Sequence, residues 1–270
     1  MTVVRSRQIL SAAWILVVLS GVRCFAASAG TSISVDEVIR RTVARAQQAE
    51  AKASQAGYTY TKLTVTEELD ATGRVKERKE KVYRVVFQAG STHLKLVTVN
   101  GRPPAQADIK KQSENDTNAR QIVGSKSGKG ADNRENFLTP DLVARFNFKL
   151  IDEKPLDGRR AYEITFQPKR PAPPVHRIMD RLLDRISGTV WIDAEEFEIA
   201  HAEVKLSSEV DLLGGVVGCL KKLAFTMTRT RVGDGQWFNT FSSGDFEGRK
   251  LLDSMRFKTK SQSTNFRPLG

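Results

Sequence analysis

Hydrophobic and polar residues alternate over long stretches of this chain, which is the two-residue period of half-buried β-strands. Turn-forming residues such as Asp70–Gly73 and Gly233–Gly235 separate the alternating segments. Strands are predicted over 58–69, 75–88, 93–99, 146–151, 160–167, 188–193, 197–209, 222–232, 236–247 and 254–265. Because strands joined by short loops pair as antiparallel neighbours, the pattern predicts a long antiparallel meander.

Two segments have the period of an amphipathic helix instead. The first, 34 to about 54, opens with Ser34 and Glu37 at the spacing of a capping box and ends at Gly57. The second, 174–186, carries apolar residues at i, i+3, i+4, i+7, i+8 and i+11. The charged residues of this second helix are expected on the side away from its apolar face: Arg177, Asp180, Arg181, Asp184 and Arg185.

The alternation gives the predicted sheet one wet face and one dry face. On the strand near residue 225, for example, Leu223, Phe225 and Met227 alternate with Thr226 and Thr228. The two amphipathic helices are the natural cover for the dry face. If they fill it, the result is a plain core; if they act as a lid, the gap is an apolar cavity suited to acyl chains. The sequence leaves both arrangements open.

The N-terminal thirty residues have the layout of a secretory signal peptide. Arg5 and Arg7 precede an apolar run over 9–22, and small residues follow it. Cleavage is predicted after Ala29, with Ala26 as the alternative site. An uncleaved anchor is the other interpretation, but the apolar run is short for a bilayer span of about 20 residues. The pattern therefore predicts a periplasmic, exported protein.

Removal of this segment leaves a single predicted β-domain, 30–270, with a polar insertion at about 102–136. Residues 1–29 contain three arginines and no acid, so cleavage lowers the formal net charge from +12 to +9. A basic exported protein is attracted to anionic lipid, cell-wall polymer or nucleic acid, although a solvated basic surface explains the charge equally well. No block of five like charges occurs, so nucleic acid is not a predicted partner.

The two cysteines do not predict a disulfide. Cys24 lies in the segment to be removed, where Arg23 and Gly21 make lipid anchoring unfavourable. Cys219 then remains alone in an apolar context and is expected to be a buried, inert thiol.

The sequence offers little for catalysis or metal binding. His93, His176 and His201 share no metal-ligand spacing. Residues 124–130 faintly resemble a phosphate-binding loop, but the spacing between the glycines is one residue short and Gly130 replaces the required Ser or Thr. These residues predict a flexible loop instead.

Three carboxylates, Asp193, Glu195 and Glu196, crowd one predicted turn. Paired carboxylates can catalyse glycoside hydrolysis only when they face each other across a groove, which residues of one tight turn do not do. We therefore predict no catalytic residue, no cofactor and no metal, and do not expect an enzyme.

Loose motifs in the second half of the chain resemble the outer-membrane lipoprotein-sorting (LolA-like) superfamily of periplasmic carriers. These motifs are the sequences at 155–162, 166–168, 188–193, 197–206 and 235–237. The resemblance covers 137–265 best, and 34–100 by architecture. The chain departs from the family in its extra segment at 102–136, in having no disulfide pair, and in offering no match to a cargo-gripping arginine.

This resemblance implies a mainly β (α+β) fold in which a strongly curved antiparallel sheet, an unclosed half-barrel, covers amphipathic helices. It also implies a carrier of lipid or lipoprotein acyl chains, which acts without covalent chemistry and has an envelope membrane protein as a further candidate partner. Strand alternation and the second helix supply the candidate lipid-binding lining: Val65, Val85, Phe166, Ile178, Leu182, Leu223, Phe225, Met227, Trp237 and Phe257.

Two other functions remain as alternatives. A cell-envelope sensing module would use the same sheet to recognise a protein or a polymer, consistent with the basic charge and the polar insertion. An envelope hydrolase would depend on Asp193 and Glu195.

Overall fold

Eleven strands pair into a single antiparallel sheet in the computed structural model of this chain. The structure describes residues 33–52, 57–88, 91–123, 139–175, 178–211, 218–233, 235–250 and 253–269. The strands are β1 (Tyr58–Leu69), β2 (Val75–Gln88), β3 (Ser91–Val99), β4 (Phe146–Leu156), β5 (Arg159–Pro168), β6 (Ile186–Asp193), β7 (Ile199–Leu206), β8 (Val210–Asp211), β9 (Cys219–Val232), β10 (Gln236–Lys250) and β11 (Asp253–Pro268). The helices within the described residues are α1 (Val35–Lys52), α2 (Gln106–Val123), α3 (Pro140–Val143) and α4 (Ile178–Leu183).

The strand order is β3-β2-β1-β11-β10-β9-β7-β6-β5-β4, with β8 beside β9. Most neighbours are consecutive in the chain, as the short loops predict. The exceptions are β1 with β11 and β7 with β9, both antiparallel. The predicted fold class is confirmed: the protein is mainly β, and its sheet is not closed into a barrel.

The two edge strands each carry an irregularity. On β4 the register shifts between Leu150 and Asp152, and the intervening Ile151 is 49% exposed. On β3 the partners of Tyr83 and Val82 are Leu96 and Thr98, so Val97 is the extra residue, and it is 43% exposed. Both edges are therefore bulged near an exposed apolar side chain.

Helix α1 begins as the capping signal predicts. The backbone N–H of Glu37 donates to Ser34 Oγ at 3.2 Å. The Glu37 carboxylate does not return to the helix start; it accepts hydrogen bonds from Arg40 and Arg41 on the next turn. Within the described residues, no helix is long and apolar enough to cross a membrane.

The second amphipathic helix is much shorter than predicted. It spans Ile178–Leu183 in place of 174–186. Val175 is 49% exposed before it, and Ile186 already belongs to β6. Prolines at 171, 173 and 174 disfavour helical geometry in the residues before them, and residues 176 and 177 lie outside the described residues.

The predicted strand over 197–209 is divided in the structure. Phe197 has a positive φ of 55° and lies in the turn after β6, so β7 begins only at Ile199. After Leu206, the backbone N–H of Ser207 turns to the carbonyl oxygen of Arg185 at 2.7 Å. Pairing resumes in the two-residue strand β8.

One face of the sheet packs against the helices and is called the helix face here. Its core combines Val38 and Ile39 of α1 with side chains of β4 to β9. The most buried strand residues of this core are Phe146, Ile164, Phe166, Val190, Ile192, Ala202 and Met227. Burial of each such side chain contributes about 1.5–3 kcal/mol to folding.

A second, smaller core lies at the other end of the sheet. It consists of Tyr58, Tyr60, Tyr83, Val85 and Phe238. Its aromatic rings pack with centroid separations such as 5.2 Å for Tyr58–Phe238 and 5.7 Å for Tyr60–Phe238. Two separate hydrophobic clusters therefore hold the two halves of one sheet.

We predict that Gly188→Ala destabilises the fold by about 2 kcal/mol, the usual cost of overpacking. A Cβ at Gly188 would overlap the backbone carbonyl oxygen of Glu203 on β7 and come within 3.0 Å of the Phe166 ring. Urea unfolding followed by circular dichroism measures the change. Gly218→Ala is the matched control, because its Cβ would meet only the Arg249 carbonyl oxygen, at 3.8 Å. Equal stability of the two variants would contradict this account of Gly188.

Candidate functional site

The helix face changes in character from one end of the sheet to the other. Directly paired residues of antiparallel strands project to the same face, so the registers trace rows across it. One row runs from β4 to β2 through Leu150, Ile164, Val190, Ala202, Met227, Ser242, Ser261, Thr64 and Lys81. It is apolar on β4 to β9, carries hydroxyls on β10, β11 and β1, and ends on a lysine.

The next row, two residues along each strand, repeats this order. It runs through Phe148, Phe166, Gly188, Val204, Phe225, Gly244, Thr259, Thr66 and Lys79. We call Thr64, Thr66, Ser242, Thr259 and Ser261 the hydroxyl band. Thr64 and Ser261 are hydrogen-bonded to each other at 2.9 Å through their side-chain oxygens. The repeat in two rows shows that the change from apolar to polar follows the strands.

Four half-buried apolar residues lie where the first core ends, three of them in a third row and Phe225 in the second. Leu223, Phe246 and Phe257 are paired across β9, β10 and β11 on the helix face, next to Phe225. The Phe246 and Phe257 rings stack at 5.0 Å with an interplanar angle of 25°. We call Leu223, Phe225, Phe246 and Phe257 the apolar corner.

Gly244 lets the Phe246 ring lie over the sheet. A Cβ at Gly244 would overlap Phe246 Cε2 and lie 2.7 Å from Cζ. Glycine within a strand often marks such a close approach of another group. The Phe246 ring therefore extends from the apolar corner over Gly244, toward Thr259 of the hydroxyl band.

Helix α2 covers the lysine end of the helix face through polar contacts. Lys79 Nζ lies 2.8 Å from Asp108 Oδ1. Tyr83 donates its hydroxyl to Gln112 Oε1 at 2.9 Å, and Lys81 Nζ approaches the same oxygen at 3.4 Å. The predicted polar insertion thus begins with a helix over β2, and residues 124–135 lie outside the described residues.

The structure separates the predicted lining residues into different environments. Phe166 and Met227 are buried in the first core, and Val85 is fully buried in the second. Leu223, Phe225 and Phe257 meet in the apolar corner. Leu182 is half-buried, while its neighbour Leu183 enters the first core. The side chain of Ile178 lies outside the described residues.

Val65 and Trp237 are not brought together with the apolar corner. Val65 pairs with Lys260 and Glu80 and lies between Thr64 and Thr66 of the hydroxyl band. Because successive residues of a strand point to opposite faces, Val65 lies on the outer face. Trp237 donates its indole N–H to Glu196 Oε2 at 2.8 Å and lies beneath the Arg159 guanidinium. Whether any of the ten lining residues contacts a ligand stays a prediction.

A buried ion pair fastens α1 to the sheet. Arg229 and Glu198 are both about 5% exposed or less and are joined at 2.8 Å, and Arg45 of α1 approaches Glu198 Oε1 at 3.1 Å. Arg229 also donates to the carbonyl oxygen of Trp237 at 2.9 Å. Removing one partner of such a pair leaves an uncompensated buried charge, which makes the position of the helix specific.

A second buried group of charges fastens α4 to the rest of the protein. The prediction that the charged residues of this helix all face away from the core is wrong for two of them. Asp180 and Asp184 are buried, not solvent-facing. Arg145, itself 7% exposed, meets them at 2.9 Å and 3.2 Å and donates to the carbonyl oxygen of Pro174. Arg145 comes from the end of the preceding helical turn, so the helix sequence alone gave no sign of this partner.

The carboxylates of the predicted acidic turn have structural partners. Asp193 accepts two hydrogen bonds from Arg159, at 2.5 Å and 2.9 Å, and others from the backbone N–H groups of Glu195 and Glu196. Burial by itself would raise the pKa of Asp193, but these hydrogen bonds outweigh it and hold the pKa below its ordinary value. Asp193 is therefore an ionised residue that stabilises the turn, and it is a poor proton donor.

The remaining candidates for chemistry are dispersed. His93 is exposed on the edge strand β3, and His176 lies outside the described residues. His201 contacts Trp191 edge to face and shares a hydrogen bond with Thr228. Cys219 is half-buried, not buried as expected, and burial with nearby Glu209 raises its thiol pKa. Among the described residues, no group of His, Cys, Asp and Glu could hold a metal ion.

No protein-family model matches this chain, and no curated protein matches it significantly. Solved structures are similar at low identity. They include a LolA superfamily protein from Nitrosomonas europaea (9% identity, 88% of this chain and 96% of that one, TM-score 0.33) and lipoprotein LppX from Mycobacterium tuberculosis (11%, 88% and 99%, 0.30). A DUF1329 family protein from Desulfovibrio piger is similar too (10%, 85% and 92%, 0.29). One of these structures belongs to the superfamily that the sequence resembles. TM-scores below 0.5 assign neither a family nor a function to this chain.

We predict that Asp193→Asn lowers the free energy of unfolding by about 2 kcal/mol at pH 7, because hydrogen bonds to a charged partner are lost. The pKa of Asp193 is lower in the folded state, so its ionised form stabilises the fold above about pH 4, and this contribution is lost as the pH falls through the folded-state pKa. The difference between wild type and variant should therefore shrink in acid, as measured by urea unfolding from pH 7 to pH 3.

Glu195→Gln is the control for this prediction. Its carboxylate reaches the same arginine at 3.1 Å but is 63% exposed, so its loss should change stability by less than about 1 kcal/mol. A difference for Asp193→Asn that stays constant between pH 7 and pH 3 would contradict the assigned role.

Proposed function

We propose that this chain is a periplasmic binding protein that carries lipid or lipoprotein acyl chains on the apolar corner of its helix face. The observation that supports this is incomplete burial. Leu223, Phe246 and Phe257 lie on the same face as the first core and remain half-buried, whereas Met227, two positions beyond Phe225 on β9, is only 4% exposed. An acyl chain laid over them would complete that burial.

The proposed binding needs no reactive group. Each acyl methylene removed from water contributes about 0.8 kcal/mol, so a long chain is held by contact area alone. Asp193 and the buried ion pairs have the structural partners described above, and the proposed binding assigns no covalent chemistry to them.

Export would place the protein where its proposed cargo is. The signal-peptide pattern of residues 1–29 predicts export across the inner membrane, into the compartment that contains lipid and lipoprotein. The LolA-like sequence resemblance implies the same location and cargo class.

A cell-envelope sensing module is the second candidate. The observation that favours it is the polar surface of α2, which contacts the sheet through Lys79, Lys81 and Tyr83 and begins the insertion. Such a module would bind a protein or a polymer of the envelope without taking up lipid.

We predict that Leu223→Gln with Phe257→Gln reduces lipid binding at least tenfold, since each apolar side chain contributes about 1.5 kcal/mol or more on burial. The measurement is native mass spectrometry of protein purified from a bacterial periplasm, followed by organic extraction and titration with a fluorescent fatty acid. Circular dichroism confirms that the variant is folded.

Val65→Gln is the matched control, because Val65 lies on the outer face and its substitution should leave lipid binding unchanged. Wild-type protein that carries no lipid and takes up none would overturn the carrier proposal and favour the sensing module. An equal loss for Val65→Gln would show that the apolar corner is not the binding surface.

A further inference from the structure

We propose that the region around α4 docks on an anionic lipid surface. The contact is made by a group of cations that we call the α4 basic patch: Lys169, Arg170, Arg181 and Arg185. This inference rests on the proposed function, because it supplies the surface on which a lipid carrier would exchange its cargo. Its basis is unpaired positive charge at the end of the sheet where the apolar corner lies.

The cations of the α4 basic patch have no acidic partner. Arg170, Arg181 and Arg185 are exposed, and Lys169 is half-buried. Within the part of the chain that the structure describes, none of these four side chains makes an ion pair. Arg185 donates a hydrogen bond to Ser208 Oγ at 3.0 Å, and a neutral hydroxyl leaves its charge uncompensated.

The acids of α4 do not neutralise the patch. Asp180 and Asp184 are the only acidic residues between β5 and β6 in the sequence. They are 1% and 8% exposed, and both meet the buried Arg145, at 2.9 Å and 3.2 Å. The carboxylates thus face a cation inside the protein, while the four cations of the patch lie outside them.

Arg145 also holds the parts of the patch together. Its carbonyl oxygen accepts a hydrogen bond from the backbone N–H of Lys169 at 2.8 Å, and its guanidinium donates to the carbonyl oxygen of Pro174 at 2.7 Å. The same guanidinium contacts the aspartates of α4. One buried side chain therefore fastens both ends of the connector 169–174 beside the helix.

The two arginines of α4 lie on one side of the helix. Arg181 and Arg185 are four residues apart, which is the spacing of neighbours on a helical surface. The backbone N–H of Arg185 donates to the carbonyl oxygen of Leu182 at 2.9 Å, so the helical turn continues to this residue. Two guanidinium groups are thus presented together to solvent.

The α4 basic patch is close to the apolar corner. Arg185 directly precedes Ile186, and Ile186 pairs with Leu206 of β7. The register of β7 with β9, extended by one residue, continues this row to Leu223 of the apolar corner. Since neighbouring strands are about 4.8 Å apart, Ile186 lies roughly 10 Å from Leu223 across the sheet. An acyl chain would therefore have a short path from a surface bound at the patch.

An exposed apolar residue favours a lipid surface over a soluble acidic partner. Val175 follows Pro173 and Pro174 in the connector between the patch cations and is 49% exposed. Segments that bind the membrane interface combine cations with apolar side chains that enter the boundary between head groups and acyl chains. Each arginine or lysine near an anionic leaflet adds electrostatic attraction to that contact.

The test measures binding of protein purified from a bacterial periplasm to two kinds of vesicle by co-sedimentation. One kind is phosphatidylcholine alone, and the other is an equal mixture of phosphatidylcholine and phosphatidylglycerol with the same acyl chains. We expect strong binding to the anionic vesicles and weak binding to the neutral ones. Raising the salt from about 0.1 M to about 1 M shortens the Debye length from about 10 Å to about 3 Å and should abolish the difference.

Arg181→Gln with Arg185→Gln should weaken binding to the anionic vesicles about tenfold to thirtyfold, because two surface cations are lost. Arg181→Lys with Arg185→Lys keeps both charges and should bind as wild type does. Arg84→Gln with Lys95→Gln is the matched control and should leave binding unchanged, since these two exposed cations pair across β2 and β3 at the other edge of the sheet. Circular dichroism confirms that each variant is folded.

Titration with a fluorescent fatty acid, without vesicles, separates this inference from the proposed function. The Arg181→Gln, Arg185→Gln variant should bind the fatty acid as wild type does, because neither residue belongs to the apolar corner. Fatty-acid binding by a wild-type protein that does not prefer anionic vesicles would overturn the docking surface and leave the carrier proposal intact. Vesicle binding without fatty-acid uptake would instead overturn the carrier proposal.

Two further outcomes would also overturn the docking surface. Equal losses of vesicle binding in the two glutamine double variants would show that the α4 basic patch has no special role. Binding of polyglutamate without binding of anionic vesicles would assign the patch to an acidic protein partner.

Discussion

The pairing of β1 with β11 determines how the rest of the structure is arranged. It runs from Tyr58 opposite Pro268 to Leu69 opposite Arg256, and it joins a three-stranded N-terminal meander to the strands that hold the main core. Without it, Phe238 of β10 would lie on a different sheet from the other members of the second core, Tyr58, Tyr60, Tyr83 and Val85. With it, the register of every other strand fixes which side chains share the helix face.

Polar interactions, more than apolar contacts, specify where the helices lie on that face. The buried pair of Arg229 and Glu198 holds α1 through Arg45, and Arg145 with two aspartates holds α4. Buried ion pairs contribute little net stability, but a wrong placement of either helix would leave a charge unpaired in a dry environment. Helix α2 differs, because its described contacts with the sheet involve partly exposed lysines and one tyrosine.

Local alternation predicted most strands, because nearly all of them are half-buried and therefore alternate in sequence. It correctly grouped Leu223, Phe225 and Met227. It did not show which side chains of β1 lie on which face, because the apolar Val65 lies on the outer face and the polar Thr64 and Thr66 lie on the helix face. Only the register across the whole sheet decides this, and a register depends on residues two hundred positions apart.

The buried charges were missed for a related reason. Asp180 and Asp184 have the spacing of a solvated helix face, and their partner Arg145 is distant in sequence and also reads as a surface residue. The pairing of β7 with β9 was equally hidden, since β8 lies between them in the chain. The open sheet has one more consequence. The bulges at Val97 and Ile151 interrupt the regular backbone hydrogen-bonding pattern of both edge strands, which disfavours the in-register addition of another strand there. Such irregularities work against the growth of fibrils through the backbone, to which an unclosed sheet is otherwise open.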